Sequence, residues 1–180
     1  MWGGGPAGLT LAARLLKHGL RIVLLEGDST VSTDSRATQL SRRSLDVIAG
    51  VAPSAAVRMA DNGVPPPGSH VHYRGKIVHN QEYDAVDVPH RFVRYTNLPQ
   101  WFTEHYLYDA LEASDLASVR WQSTVMAIEQ SDSSVAVSVR TPEGQYQVQA
   151  PWVVACDGGK SFVRRSLGLR CKASNTIPSS

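Results

Sequence analysis

Cysteine, an excess of charge of one sign and long apolar runs are all scarce in this chain of 180 residues. Its two cysteines, Cys156 and Cys171, lack the spacing of metal ligands, which favours reduced thiols in the cytoplasm. The net charge of +2 is too small to indicate nucleic acid or an anionic membrane as a partner. No apolar run approaches the roughly 20 residues of a transmembrane helix. We therefore expect a cytoplasmic protein with one sizeable core, no membrane span and no bound metal.

The chain does have a glycine-rich loop at its start, of the kind that binds dinucleotides. Gly3, Gly5 and Gly8 occupy the glycine positions of G-x-G-x-x-G, with Pro6 and Ala7 between the last two. The first glycine permits a tight turn, the second lets the backbone approach a pyrophosphate, and the third lets a helix pack closely. Apolar residues at helical spacing follow, so the N–H groups of a helix N-terminus should face the phosphates.

A strand-length apolar run and an acidic residue complete this pattern. Ile22–Leu25 is continuously apolar, and Glu26 follows at its carboxyl end, where it can accept hydrogen bonds from ribose hydroxyls. Only Met1 and Trp2 precede the first glycine, so we expect the first strand to be cut to a stub. A glycine-rich loop without a ligand is the alternative, and the order of loop, helix, strand and acid argues against it.

The middle of the chain is predicted to mix helices with short strands. Residues 36–50 and 98–113 have helical character, and residues 71–78 have the pattern of a hairpin. We interpret the β-like runs that come next as an antiparallel meander inserted into an α/β unit. These runs cover residues 119–121, 124–129, 135–141 and 146–150.

A second candidate site is the Asp-Gly pair at Asp157 and Gly158. A short apolar run, 152–156, ends at this pair, and residues 161–167 after it have helical character. An Asp-Gly pair is most often a hairpin turn, but here no strand follows it. The pair should therefore lie at the carboxyl end of a strand, where open α/β sheets bind ligands. The sequence leaves two interpretations of Arg164 open, a phosphate contact or part of a solvated basic helix face.

Together these pieces resemble the flavin-dependent aromatic hydroxylases of the 4-hydroxybenzoate and 3-(3-hydroxyphenyl)propionate hydroxylase type, over nearly the whole chain. The resemblance implies that the glycine loop and Glu26 hold the ADP half of FAD. It also implies that Arg36 contacts FAD, that Gln100 lies beside the flavin, and that the Asp-Gly motif serves FAD and NAD(P)H. The full set of expected cofactor-binding residues is Gly3, Gly5, Pro6, Ala7, Gly8, Glu26, Arg36, Gln100, Val125, Asp157, Gly158 and Arg164.

The fold that this resemblance implies is α/β: a Rossmann-like FAD/NAD(P)-binding domain with inserted antiparallel strands, truncated at both ends. The family's later Gly-Asp motif has no counterpart in the sequence, so we expect a fragment. The expected parts are an N-terminal FAD-binding portion, the start of a substrate-domain-like β insertion, a return to the FAD-binding domain and a frayed tail. They cover residues 1–60, 61–98, 99–172 and 173–180, respectively.

The activity that the resemblance implies is NAD(P)H-dependent monooxygenation of an aromatic, phenolic substrate. The expected partners are that small substrate, O₂ and, for the intact protein, a second copy in a homodimer. No catalytic residue is assigned, because no histidine or tyrosine has a spacing that demands a catalytic role. Two alternatives stay open: an FAD-dependent oxidoreductase of another reaction type, and an inactive nucleotide-binding fragment. A simple NAD-dependent dehydrogenase is disfavoured, since its domain would continue with short βα repeats.

Overall fold

The computed structural model describes residues 1–33, 37–83 and 90–170. The helices in these ranges are α1 (Pro6–Lys17), α2 (Arg42–Ala49), α3 (Pro53–Asn62), α4 (Gln100–Glu112) and α5 (Phe162–Ser166). The strands are β1 (Ile22–Leu25), β2 (Gln39–Ser41), β3 (Gly68–Tyr73), β4 (Lys76–Glu82), β5 (Tyr95–Asn97), β6 (Ala117–Arg120), β7 (Thr124–Gln130), β8 (Val135–Thr141) and β9 (Gly144–Ala150). Within the described ranges, no helix has the length and apolar character needed to cross a membrane.

The parallel part of the fold is built around the N-terminal stub. Strand β1 pairs in parallel with β6 on one side. On its other side lies Trp2, which forms parallel bridges with Leu25 and with Ala155. The Trp2 N–H donates to the carbonyl of Val154 at 3.0 Å, and the Cys156 N–H donates back to the Trp2 carbonyl at 2.7 Å. Trp2 therefore lies between β1 and the segment at Ala155, and the glycine loop follows it directly.

Two expectations about strands were wrong. The run at 119–121 does not belong to the meander, because the crossover that ends in α4 brings β6 beside β1 in the same direction. The run at 152–156 is not a strand but a single bridge at Ala155, whose partner is Trp2. The remaining three runs do form the predicted antiparallel meander, in the order β7-β8-β9. The α/β class with antiparallel insertions is confirmed.

The helix predicted over 36–50 begins later, at Arg42. The preceding residues, Gln39–Ser41, are extended instead of helical, because they pair antiparallel with β5. Ser41 then caps α2, because its Oγ accepts a hydrogen bond from the Ser44 N–H at 3.2 Å. The hairpin expected around 71–78 is present as the longer β3–β4 pair, and the helix expected within 98–113 is α4.

Two apolar cores lie on opposite faces of β1. Leu24 is fully buried in the larger core, which it shares with residues of α1, α2, α3 and α4. Leu25 packs into a smaller core with Val125, Val137 and Val139 of the meander. Because neighbouring strand residues point to opposite faces, both faces of β1 are covered. This explains why the run Ile22–Leu25 is apolar throughout rather than alternating.

Candidate functional site

The glycine loop shows a different steric need at each of its motif positions. Gly3 has φ +106°, and a Cβ there would overlap the carbonyl oxygen of Cys156. A Cβ on Gly8 would overlap the carbonyl oxygen of Gly3, so the start of α1 can lie against the loop only without a side chain. At Gly5, by contrast, nothing lies within 4 Å of the Cβ position. Gly3 and Gly8 therefore allow close packing within the protein, whereas Gly5 leaves open space beside the backbone.

The N-terminus of α1 opens toward that space. Gly5 is the N-cap residue and provides no side-chain cap, and Pro6 at the first helical position has no N–H to donate. The N–H groups of the first turn of a helix have no acceptor within the helix, and they carry partial positive charge. The backbone of Gly5, Pro6 and Ala7 therefore presents a site suited to an anion.

Glu26 lies beside the glycine loop, which confirms the predicted arrangement of loop, strand and acid. Its Oε2 accepts a hydrogen bond from the Gly4 N–H, and its Oε1 accepts one from the Asp28 N–H at 3.1 Å. The carboxylate thus ties the loop to the chain that leaves β1. The Glu26 carboxylate and the glycine loop face the same opening. The loop follows Trp2 and Glu26 follows β1, and the carboxyl ends of these two parallel segments lie at one edge of the sheet.

Asp157 and Gly158 form a turn that leads into α5. The Asp157 Oδ2 accepts hydrogen bonds from the Phe162 N–H at 2.7 Å and the Val163 N–H at 3.2 Å. Burial raises the pKa of Asp157, but hydrogen bonds from Ser161 and from these two backbone groups outweigh it and hold the pKa below its ordinary value of 3.8. Asp157 is therefore ionised at neutral pH and fixes the start of α5.

Replacing Asp157 by alanine should lower the free energy of unfolding by about 1 kcal/mol at neutral pH, because the first turn of α5 loses its acceptor. The folded-state pKa lies below the ordinary value, so this contribution is complete above pH 3.8 and disappears as the pH falls through the folded-state pKa. Urea unfolding at neutral and at acid pH measures the difference. Asp132→Ala, in the exposed turn after β7, is the control. An equal difference at both pH values would contradict the assignment.

These elements enclose a cleft of about 400 Å³, which we call the glycine-loop cleft. It brings together most of the expected cofactor-binding residues from three distant parts of the sequence. Those that line it are Gly3, Gly5, Pro6, Ala7, Glu26, Gln100, Asp157 and Gly158.

Three expected residues lie elsewhere, and for a fourth the structure gives no position. Gly8 is buried beneath the loop, and Val125 is buried in the smaller core with only 3% of its surface exposed. The Arg164 guanidinium donates to the carbonyl of Gly159 at 2.6 Å, so it closes the Asp-Gly turn and does not line the cleft. Arg36 lies outside the described residues. The roles expected for these four stay predictions.

Asp28 and Glu104 are acidic residues of the cleft that sequence reasoning missed, and the buried one is Glu104. It lies one turn after Gln100 in α4, and its Oε1 accepts a hydrogen bond from the Gln100 Nε2 at 2.7 Å. Its Oε2 accepts one from the Ser32 N–H at 3.0 Å. The i, i+4 spacing of Gln100 and Glu104 was a readable signal, whereas the contact to Ser32 spans 72 positions and was not.

A glycine turn, a helix N-terminus and an acid at the end of the second parallel strand define an α/β protein with a dinucleotide-type site. A family model described as "FAD binding domain" matches residues 2–180. The chain therefore belongs to the FAD-binding-domain family of flavin-dependent aromatic monooxygenases, which confirms the family resemblance.

Curated relatives agree with this family. Over 93% of its length the chain is 32% identical to rifampicin monooxygenase of Streptomyces venezuelae, of which it covers 33%. Over the same share it is 26% identical to para-nitrophenol 4-monooxygenase of Pseudomonas sp. strain WBC-3, of which it covers 41%. A shorter match, 43% identity over 72 residues, is to a 3-(3-hydroxy-phenyl)propionate/3-hydroxycinnamic acid hydroxylase of Burkholderia cenocepacia. The chain thus spans about a third to two fifths of the relatives that it matches over most of its own length.

Solved structures show the same fold. The p-nitrophenol 4-monooxygenase PnpA from Pseudomonas putida DLL-E4 superposes with a TM-score of 0.83 at 27% identity, covering 93% of this chain and 42% of that one. The anhydrotetracycline hydroxylase OxyS from Streptomyces rimosus superposes with a TM-score of 0.78 at 31% identity, covering 93% and 33%. The parallel sheet, the helices and the antiparallel insertions are thus those of flavin monooxygenases.

Proposed function

We propose that this chain binds FAD in the glycine-loop cleft and serves the NAD(P)H-dependent hydroxylation of a phenolic ring. The observation that carries the proposal is the open space at Gly5, beside the uncapped N-terminus of α1 and the carboxylate of Glu26. At the other two motif glycines, backbone atoms of the protein occupy the space that a side chain would take. Of the three, only Gly5 therefore leaves space for a ligand. A dinucleotide supplies the two groups that this edge of the sheet suits, a pyrophosphate and a ribose.

The residues of the cleft fit the two ends of FAD. The backbone at Gly5, Pro6 and Ala7 would hold the pyrophosphate, and Glu26 would accept from ribose hydroxyls while it keeps the loop in place. Gln100, on the opposite wall, would lie on the flavin side, and Asp157 would hold the Asp-Gly turn closed against the loop. Cofactor contacts by Gly8, Arg36, Val125 and Arg164 remain part of the proposal on the strength of the family resemblance.

When bound, FAD supplies the electron transfer and oxygen chemistry of a monooxygenase, and the protein supplies placement and polarity. In this chain, two tryptophan residues, Trp2 and Trp121, are also among the residues that line the cleft. The substrate class rests on the relatives, which include enzymes named for para-nitrophenol and pentachlorophenol. NAD(P)H as electron donor rests on the same family.

The β3–β4 hairpin supports the proposal that residues 61–98 begin a substrate-domain-like insertion. Four of its apolar side chains are half exposed or more, which is unusual for a hairpin that is complete on its own. They are Val71, Tyr73, Ile77 and Val78. A substrate domain would account for this exposure by covering these side chains.

Titration of flavin fluorescence with the purified chain tests the proposal. We expect saturable quenching by FAD and competition by ADP for this chain, and NADH or NADPH oxidation that a phenol accelerates for the intact protein. Failure to bind FAD at saturating protein would reject the cofactor assignment. FAD binding without phenol-stimulated oxidation would instead favour one of the two alternatives, another flavin-dependent reaction or an inactive nucleotide-binding fragment.

A further inference from the structure

Glu104 is buried to an unusual degree for an acid. Only 2% of its surface is exposed, and among residues 1–33, 37–83 and 90–170 no other side chain of a charged residue type is buried. It also lines the glycine-loop cleft. Burying a carboxylate is unfavourable unless hydrogen bonds compensate it, so the bonds that Glu104 makes indicate what it does.

Those bonds join two walls of the cleft. One wall is α4, where the Gln100 Nε2 donates to the Glu104 Oε1 at 2.7 Å. The other is the loop after β1, where the Ser32 N–H donates to the Glu104 Oε2 at 3.0 Å. The separation between the walls is therefore fixed through one side chain.

Both partners are donors in this arrangement, and a carboxylate accepts from both at once. Each oxygen of an ionised carboxylate only accepts, whereas an amide at position 104 would turn one N–H toward another N–H. The carboxylate also orients Gln100. Because the Gln100 amide nitrogen faces Glu104, its carbonyl oxygen is the end left for other contacts in the cleft.

We propose that Glu104 is a positioning residue of the cofactor site. It holds the Gln100 amide in one orientation and the loop of Ser32 at one distance, and thereby shapes the flavin side of the cleft. The inference rests on the proposed FAD binding. It differs from the family resemblance, which assigns Gln100 but gives no role to Glu104.

The first test needs no cofactor. Glu104→Gln changes one oxygen to an amide, and Glu112→Gln makes the same change on the exposed end of the same helix. Nitrogen-15 NMR of the ligand-free chain follows solvent exchange at the Ser32 backbone N–H and the Gln100 side-chain amide. We expect faster exchange at both groups in Glu104→Gln and no change in Glu112→Gln. Unchanged exchange in Glu104→Gln would overturn the inference.

The second test compares FAD with ADP. Loss of one buried hydrogen bond to a charged group should weaken FAD binding by about tenfold in Glu104→Gln. ADP, which lacks the flavin half, should bind as it does to the wild type. Gln100→Leu should reproduce the selective loss of FAD without altering exchange at Ser32. Glu112→Gln should bind both ligands normally.

The outcomes separate the two proposals. Equal weakening of FAD and ADP in Glu104→Gln would show general destabilisation and overturn the positioning role. If Glu104→Gln does not fold, Gln100→Leu decides, and equal affinities for FAD and ADP relative to wild type would overturn the inference. A wild-type chain that binds neither ligand rejects the proposed function together with the flavin part of this inference. The exchange result then still decides whether Glu104 holds the two walls.

Discussion

Gly8→Ala is expected to lower the free energy of unfolding by about 3 kcal/mol, the upper part of the range for overpacking a close contact. The added methyl group would overlap the Gly3 carbonyl oxygen, and the Cys156 side chain lies at 3.3 Å on another side. The loop is held by the Gly3 N–H bond to the Leu25 carbonyl at 3.0 Å, and α1 is held by its buried face in the larger core. Urea unfolding followed by circular dichroism measures the change.

Gly5→Ala is the matched control for this substitution. It adds the same methyl group three residues earlier, at φ −71°, where alanine is unstrained and nothing lies within 4 Å. We expect unfolding close to that of the wild type together with weaker FAD binding, because the methyl group occupies the space assigned to the pyrophosphate. Equal destabilisation by the two substitutions would contradict the different roles of the two glycines.

Glu26→Leu is expected to weaken FAD binding by about 100-fold. The substitution removes the acceptor for the Gly4 and Asp28 N–H groups as well as the carboxylate assigned to the ribose. A 100-fold loss corresponds to about 2.8 kcal/mol, within the range of about 1.5–3 kcal/mol for one hydrogen bond to a charged group, here the one assigned to the ribose. Flavin fluorescence titration gives the dissociation constant.

Glu129→Leu provides the comparison for Glu26→Leu. Glu129 is an exposed acid near the end of β7, so its removal changes the net charge by the same amount without touching the cleft. FAD affinity should stay at the wild-type value in this variant. A similar loss in both variants would indicate a general effect of charge and would remove Glu26 from the proposed site.

The part of the fold that could be predicted is the part encoded by local pattern. The glycine loop, α1, β1 and Glu26 follow one another within 26 residues, and each has a steric or periodic signature of its own. The β3–β4 hairpin was predictable for the same reason, because its turn contains a glycine. Arg74 and Gly75 adopt φ values of +49° and +75° there, and glycine favours this conformation.

What could not be predicted was the choice of partners over long distances. The apolar pattern of β6 is that of any short strand, and only the tertiary fold places it beside β1 rather than in the meander. Residues 39–41 have no strong strand signal and become β2 only because β5 lies opposite. Glu104 was missed for the same reason, since its bond to Ser32 depends on how α4 packs across the sheet.

The distribution of tryptophan gives the chain an optical property of its own. Two of its four tryptophan residues, Trp2 and Trp121, are among those that line the glycine-loop cleft, whereas Trp152 is 87% exposed. Trp2 also contacts Phe162 of α5 edge to face, with ring centroids 5.7 Å apart. The fluorescence emission of Trp2 therefore reports on the packing of α5 against the parallel sheet, while the emission of Trp152 reports mainly on solvent.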